Sequence, residues 1–252
     1  MSVDRIKNII LSYIDKYEEE FLTSYVSDRA SFCIDFLLNS MGAAFDGGKI
    51  ILAHQDPPSF FAYYKNLVKT IPDKDFVSVL FMLVHKSQKV SLYQLIQRFL
   101  TKTQRGQLLR DCWVSAEFPS LYSLQNGFDF INELKKVGSE HVMEKSEIKK
   151  LKDLPDTVVC YRGVYNEAFK DGASYSLSID KARWFAKRFR ASNQSDIIFL
   201  SINGVSCDLP YQGLVYKLEC SKQSVLVYFQ REDEVVVDTT LQDIVPEVLE
   251  IL

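Results

Sequence analysis

Nowhere does this sequence carry two cysteines at C-x-x-C spacing. Its five cysteines, Cys33, Cys112, Cys160, Cys207 and Cys220, are odd in number and widely spread. That pattern argues against a zinc site or a disulfide framework, and for buried free thiols in a reducing compartment. Histidine is scarce as well. His54, His85 and His141 stand apart from one another and from any acidic cluster at ligand spacing, so no metal is expected. Long hydrophobic runs are missing: the longest, "FVSVLFMLV" from Phe76 to Val84, is too short to span a bilayer. The opening "MSVDRIKNIILSYIDKYEEE" lacks the uninterrupted apolar stretch and small-residue cleavage site of a secretory signal. A cytoplasmic protein with no membrane partner is the expectation. Neither sign of charge dominates, since 30 Lys and Arg against 33 Asp and Glu leave a net charge of −3 and a pI near 5.7. Such a balance does not advertise a nucleic-acid partner, although a local basic patch can hide within it.

What the chain does have is core-forming material. It is 47% apolar and 13% aromatic over 252 residues, enough for one large domain or two small ones. The first half reads as helical. Ile6, Ile9, Ile10, Tyr13, Ile14 and Tyr17 recur at helix spacing. "SFCIDFLLNSMGAAF" reads as a second helix, ended near Gly42 or by "DGGK". "PPSFFAYYKNLVKTI" opens on prolines that suit a helix start. Further helices are expected in "DKDFVSVLFMLVHK", "SLYQLIQRFLTK", "TQRGQLLRDCWV" and "GFDFINELKKV".

The texture changes after Leu154. "TVVCYRGV" and "GASYSLS" read as strands, followed by the helix "IDKARWFAKRF", whose apolar stripe is Ala182, Phe185, Ala186 and Phe189. Lys181, Arg183, Lys187, Arg188 and Arg190 crowd the rest of that helix. Strands are then expected in "IIFLSI", "GLVYKLEC", "SVLVYF" and "EVVVDT". The fold class is α+β: a helical N-terminal region, residues 1–104, followed by a region of packed sheets with flanking helices, residues 105–252.

Three short stretches could carry chemistry. In "QREDEVVVD" three acids run directly into three valines. If Glu232 and Glu234 lie on a strand, period-two alternation points them the same way and Val235 and Val237 into a core, with Asp233 turned away and solvated. Paired carboxylates suit acid/base or cation-stabilising work; the plain reading is a solvated strand end. In "CYRGV", Arg162 sits inside an apolar strand, where a charge needs a partner. A guanidinium grips phosphate well, and Gly163 lets a ligand approach the backbone; the plain reading pairs Arg162 with a surface acid. In "SYSLSIDKA", Ser178 fits a helix cap, while Ser176 could orient a neighbouring carboxylate.

Their order carries more than any one of them. Arg on a first strand, Ser on a second strand leading into a helix, then E-x-E on a late strand resembles the Arg-Ser-Glu class of ADP-ribosyltransferases. The likeness covers Leu108 to Asp238 and is densest in "YRG", "SYSLSIDKARWFA" and "REDEVVV". The lead-in "LRDCWVSAEFP…LKDLPDTVVCYRG" is also similar to phage and prophage members, among them toxin-type enzymes. The resemblance implies an ADP-ribosyltransferase-like fold of two packed β-sheets, NAD as substrate, no metal, and release of nicotinamide. It implies that Arg162 binds the NAD phosphates and ribose side, that the Gly163 backbone lies near the nicotinamide amide, that Ser176 holds Glu234, that Glu234 is the catalytic glutamate, and that Glu232 is the first glutamate of the E-x-E of arginine-directed members. Tyr161 and Ser178 join the expected NAD-binding set, and Trp184, Phe185, Tyr228 and Phe229 lie near the motifs as further candidates for stacking. One position departs from the family's S-T-S motif: Leu177 stands in the middle and supplies no hydroxyl. The expected activity is mono-ADP-ribosyl transfer to a macromolecular acceptor, first of all a protein arginine. Transfer to RNA or DNA, hydrolysis of NAD and a non-catalytic interaction module stay open, as does an inhibitory partner protein.

Overall fold

The computed structural model describes residues 3–23, 43–46, 48–53, 55–84, 89–115, 127–188, 211–241 and 245–252. The chain divides into two compact units. One comprises Met1–Thr101 with Asp111–Ala116, the other Lys102–Arg110 with Glu117–Leu252.

In the first unit, helix α1 (Val3–Thr23) buries Ile6, Ile10, Ile14 and Phe21. Their spacing puts them on one stripe, and burying each contributes roughly 1.5–3 kcal/mol. Helix α2 (Pro57–Thr70) starts as its sequence suggests: Pro57 and Pro58 occupy the first turn, and the Asp56 side chain accepts from the Ser59 amide at 3.2 Å. Its buried face is Phe60, Phe61, Tyr64 and Val68. Helices α3 (Phe76–Leu83) and α4 (Lys89–Ile96) follow. Of the two ends expected for the second helix, only the one near Gly42 is compatible with the fold, because Ala43–Asp46 is strand β1, paired antiparallel with β2 (Lys49–Leu52). The remainder of that expected helix lies outside the described residues.

Helix α5 (Lys102–Ser115) is shared between the units. The second unit continues with α6 (Phe130–Val137), α7 (Ser139–Val142), α8 (Lys145–Lys152), β3 (Thr157–Val164), β4 (Ser174–Ser176), α9 (Ile179–Lys187), β5 (Leu214–Ser221), β6 (Val225–Phe229), β7 (Glu234–Val237) and β8 (Glu247–Ile251). Six of these strands form one sheet in the order β6-β7-β4-β3-β5-β8, and every neighbouring pair is antiparallel. The expectation of two packed sheets is therefore corrected for these strands, which lie side by side instead. The strand expected in "IIFLSI" lies outside the described residues. Mixed α+β architecture is what the chain has.

Short side chains explain how helix and sheet approach. α9 turns Ala182 and Ala186 inward, and both are buried against Val215 with Tyr161 and Leu252 around them. On the sheet they meet Gly163. A Cβ built there would lie 1.7 Å from the Ala182 carbonyl oxygen and 2.7 Å from the Ala186 nitrogen. No larger residue fits without moving the helix.

Candidate functional site

The sheet order brings the sequence-distant motifs together. β3 carries Arg162, β4 carries Ser174 and Ser176, and β7 begins at Glu234, and these three strands are immediate neighbours. Register aligns Tyr161 with Ser176 and Ser176 with Glu234. Directly opposed residues share a face, so Tyr161, Ser176 and Glu234 form a row across three strands.

Arg162, one residue on, starts from the opposite face of β3 but reaches the same strand ends. Its Nη1 donates to the Ser174 carbonyl at 2.8 Å, and its Nε and Nη2 donate to the Phe169 carbonyl at 3.2 and 2.9 Å. Gly172 backs the guanidinium; a Cβ there would stand 2.2 Å from Nη2. Burial pulls the Arg162 pKa below its ordinary value, and Tyr175, Glu234 and Asp171 pull it back up. A guanidinium stays charged through such a shift, so a fixed positive charge sits within electrostatic reach of Glu234. The carbonyl anchors, rather than a surface acid, are what balance Arg162 in its strand.

Ser174 completes the link. Its carbonyl accepts from Arg162, and its hydroxyl donates to Glu234 Oε1 at 2.5 Å. The hydrogen bond expected from Ser176 to Glu234 is thus made by Ser174, two residues earlier. Ser176 is buried and does something else: its Oγ donates to the Glu232 carbonyl at 3.1 Å and the Asp233 carbonyl at 3.4 Å, and accepts from the Ser178 amide at 3.1 Å. The diagonal from Ser174 to Glu234 is long-reaching for a serine, and strand alternation alone gave no reason to prefer it. Ser178 caps α9, accepting from the Lys181 amide.

The acids divide differently from the alternation argument. β7 starts at Glu234, while Arg231–Asp233 form a turn. Asp233 has φ +50°, a left-handed conformation, which Asp tolerates better than most residues. Its amide donates to the Gln230 carbonyl at 3.2 Å, closing the hairpin from β6 to β7. Glu232 therefore does not follow Glu234 on a common strand; it stands on the turn, with its side chain 42% exposed and 3.6 Å from Arg231 Nε. Nor is Asp233 merely solvated. The Tyr228 hydroxyl donates to its Oδ1 at 2.8 Å, and its carbonyl accepts from the Leu177 amide at 2.8 Å. Lys181 Nζ holds the Arg231 carbonyl at 3.2 Å. A polar turn that could flex is thus tied to β4, to the start of α9 and to β6.

The aromatics near the motifs also sort themselves. Tyr228 and Phe229 are buried in the sheet, Tyr161 packs on the α9 alanines, and Trp184 is 56% exposed. Gly163 is required by the close passage of α9, a role distinct from admitting a ligand. A groove of about 540 Å³ lined by Leu151, Asp156, Ser221 and Lys222 among others contains none of the candidate residues. Among the described residues no group of His, Cys, Asp and Glu is placed to hold a metal ion, and no helix is long and apolar enough to cross a membrane. Cys112, Cys160 and Cys220 are free and buried.

The resulting arrangement offers a carboxylate with one oxygen held at a strand start, a buried cation linked to it through one serine, and a second acid on a tethered turn. Such a set can stabilise a developing positive charge and orient a cationic nucleophile. Neither a scan against family models nor searches of curated proteins and solved structures return a significant match.

Proposed function

We propose that this protein is a mono-ADP-ribosyltransferase that transfers ADP-ribose from NAD to a protein arginine. One observation carries the reading. Arg162, Ser174 and Glu234, remote in sequence, lie on three adjacent strands and are linked by the Arg162–Ser174 and Ser174–Glu234 hydrogen bonds.

In this reaction the bond between the ribose C1′ and the nicotinamide nitrogen breaks, and its electron pair leaves with nicotinamide. Positive charge builds on the ribose, as in glycoside hydrolysis. Glu234, held by Ser174, stabilises that charge more than the ground state. Arg162 keeps the Ser174 strand end in place and contributes its remaining N–H bonds to the anionic side of NAD. The acceptor guanidinium is drawn to Glu232, which takes up its proton as the nitrogen attacks C1′.

The test is incubation with NAD labelled in the ADP-ribose part and a cell lysate, with label sought separately in protein, RNA and DNA. Label in protein, removed by Glu234→Ala, is the expected result. Glu232→Ala should lower transfer more than NAD hydrolysis. Label in nucleic acid would change the acceptor class, free ADP-ribose alone would make the protein a hydrolase, and intact NAD would end the enzyme reading.

A further inference from the structure

The turn that carries Glu232 has one more tether, on the side away from β4. Glu147, the third residue of α8 by its capping geometry, is a carboxylate only 1% exposed. Both of its oxygens are used twice. Oε2 accepts from Arg110 Nη1 and from the Glu144 amide at 2.9 Å; Oε1 accepts from Arg110 Nη2 at 2.9 Å and from the Gln230 amide at 2.9 Å. Gln230 is the first residue after β6. Arg110 in turn lies over the Phe229 ring, 5.0 Å from its centroid, and Phe229 is the residue paired with Glu234 across the hairpin. One ion pair, with Glu147 buried and Arg110 partly exposed, thus touches the last residue of β6 and the first residue of the turn that carries the acids.

We infer that the Arg110–Glu147 pair is a positioning device for the Glu232-bearing turn, setting the geometry of acceptor attack at the proposed NAD site; this role rests on the function proposed above. An ion pair buried on its carboxylate side and partly exposed on its guanidinium side is a poor way to gain stability: exposed pairs contribute little, and apolar residues of similar volume often do as well as buried ones. What apolar residues lack is an acceptor for the Gln230 N–H. With the turn held by Ser176, Leu177 and Lys181 on one side and by Glu147 on the other, Glu232 is presented from a backbone fixed at both ends. Fixed geometry of this kind matters most for a bimolecular attack. Glu234 has its own tether in Ser174, so NAD cleavage by water depends less on the pair.

The test compares wild type, Glu147→Gln and the apolar double variant Arg110→Met with Glu147→Leu. Nicotinamide release and adduct formation are measured with NAD and arginine methyl ester as acceptor, alongside amide hydrogen exchange at Gln230 and Asp233. Glu147→Gln keeps an acceptor for the Gln230 N–H, so its ratio of transfer to hydrolysis should stay within about threefold of wild type. The double variant should lose about tenfold or more in that ratio, with hydrolysis within about threefold, and should exchange both amides at least about tenfold faster. A wild type that releases no nicotinamide overturns the function and this role with it. An active wild type with an unchanged ratio or unchanged exchange in the double variant overturns the role of the pair alone. A double variant that fails to fold assigns the pair to stability and also overturns the positioning role.

Discussion

Ser174→Ala against Ser176→Ala separates the two serines by what each hydroxyl touches. The Ser174 bond to Glu234 is short, 2.5 Å, and ends on a carboxylate. Charge-assisted bonds contribute about 1.5–3 kcal/mol. Glu234 is partly exposed, so the lower end applies, and about 1.5 kcal/mol corresponds to roughly tenfold in rate. Ser174→Ala should therefore lower kcat for nicotinamide release about tenfold, with KM for NAD within about twofold and the melting temperature lowered by no more than a few degrees. Ser176 is 5% exposed, and its hydroxyl serves two carbonyls and one amide. Removing it strands buried groups, costing about 1–3 kcal/mol of stability. Its kcat, measured below the melting transition, should fall less than that of Ser174→Ala. Initial rates by nicotinamide release and thermal melts by circular dichroism read both quantities. A Ser176→Ala variant that melts like wild type yet loses kcat, beside a fully active Ser174→Ala, would refute the assignment.

Two other perturbations test the frame around the site. Gly163→Ala puts a Cβ 1.7 Å from a backbone oxygen of α9; overpacking of this kind costs about 1–3 kcal/mol, so the melt should drop by several degrees even without any ligand, and an unchanged melt would remove the helix-packing explanation. For Glu147, burial raises its pKa, but the Arg110 guanidinium and the amides of Gln230 and Glu144 together hold it below its ordinary 4.5. A carboxylate with a depressed folded pKa contributes stability that is complete above its unfolded value and is lost as pH falls through the folded one. Urea midpoints of Glu147→Gln should thus fall less steeply than those of wild type as pH drops below about 5; parallel acid limbs would show that Glu147 does not carry this linkage.

Helices and strands with strong periodicity were readable from residues alone. The TVVCYRGV strand is β3 at the same bounds; of the expected stripe on α9, Ala182 and Ala186 are buried against the sheet, Phe185 is half-buried, and Phe189 lies outside the described residues. Short elements without such a pattern were not anticipated. α7 is a single turn, α8 has charged residues at most positions, and β8, EVLEI, is an exposed edge whose only described strand partner is β5. The grouping of the described strands into one sheet is not legible in the same way, because alternation along a strand says which residues share a face and nothing about which strand lies next to it. Gly163 shows the same limit: nothing in "CYRGV" announces that α9 passes directly over it.

The turn acids show where pattern reasoning fails for a physical reason. Treating "EDE" as strand assumes that φ stays negative through Asp233. At +50° it does not, and that one residue uncouples Glu232 from the pleat on which Glu234 lies. Two carboxylates on one strand face would repel and share a titration. Separated by a left-handed turn residue, they acquire different surroundings: Glu234 is held by Ser174 beside the Arg162 charge, and Glu232 stands exposed near Arg231. The transferase proposed above, in which one acid stabilises a cation and the other receives a second, mobile reactant, would need that asymmetry. Asp233, the acid that alternation turned out to solvent, is therefore the residue that makes the division, and Tyr228 holds it in place.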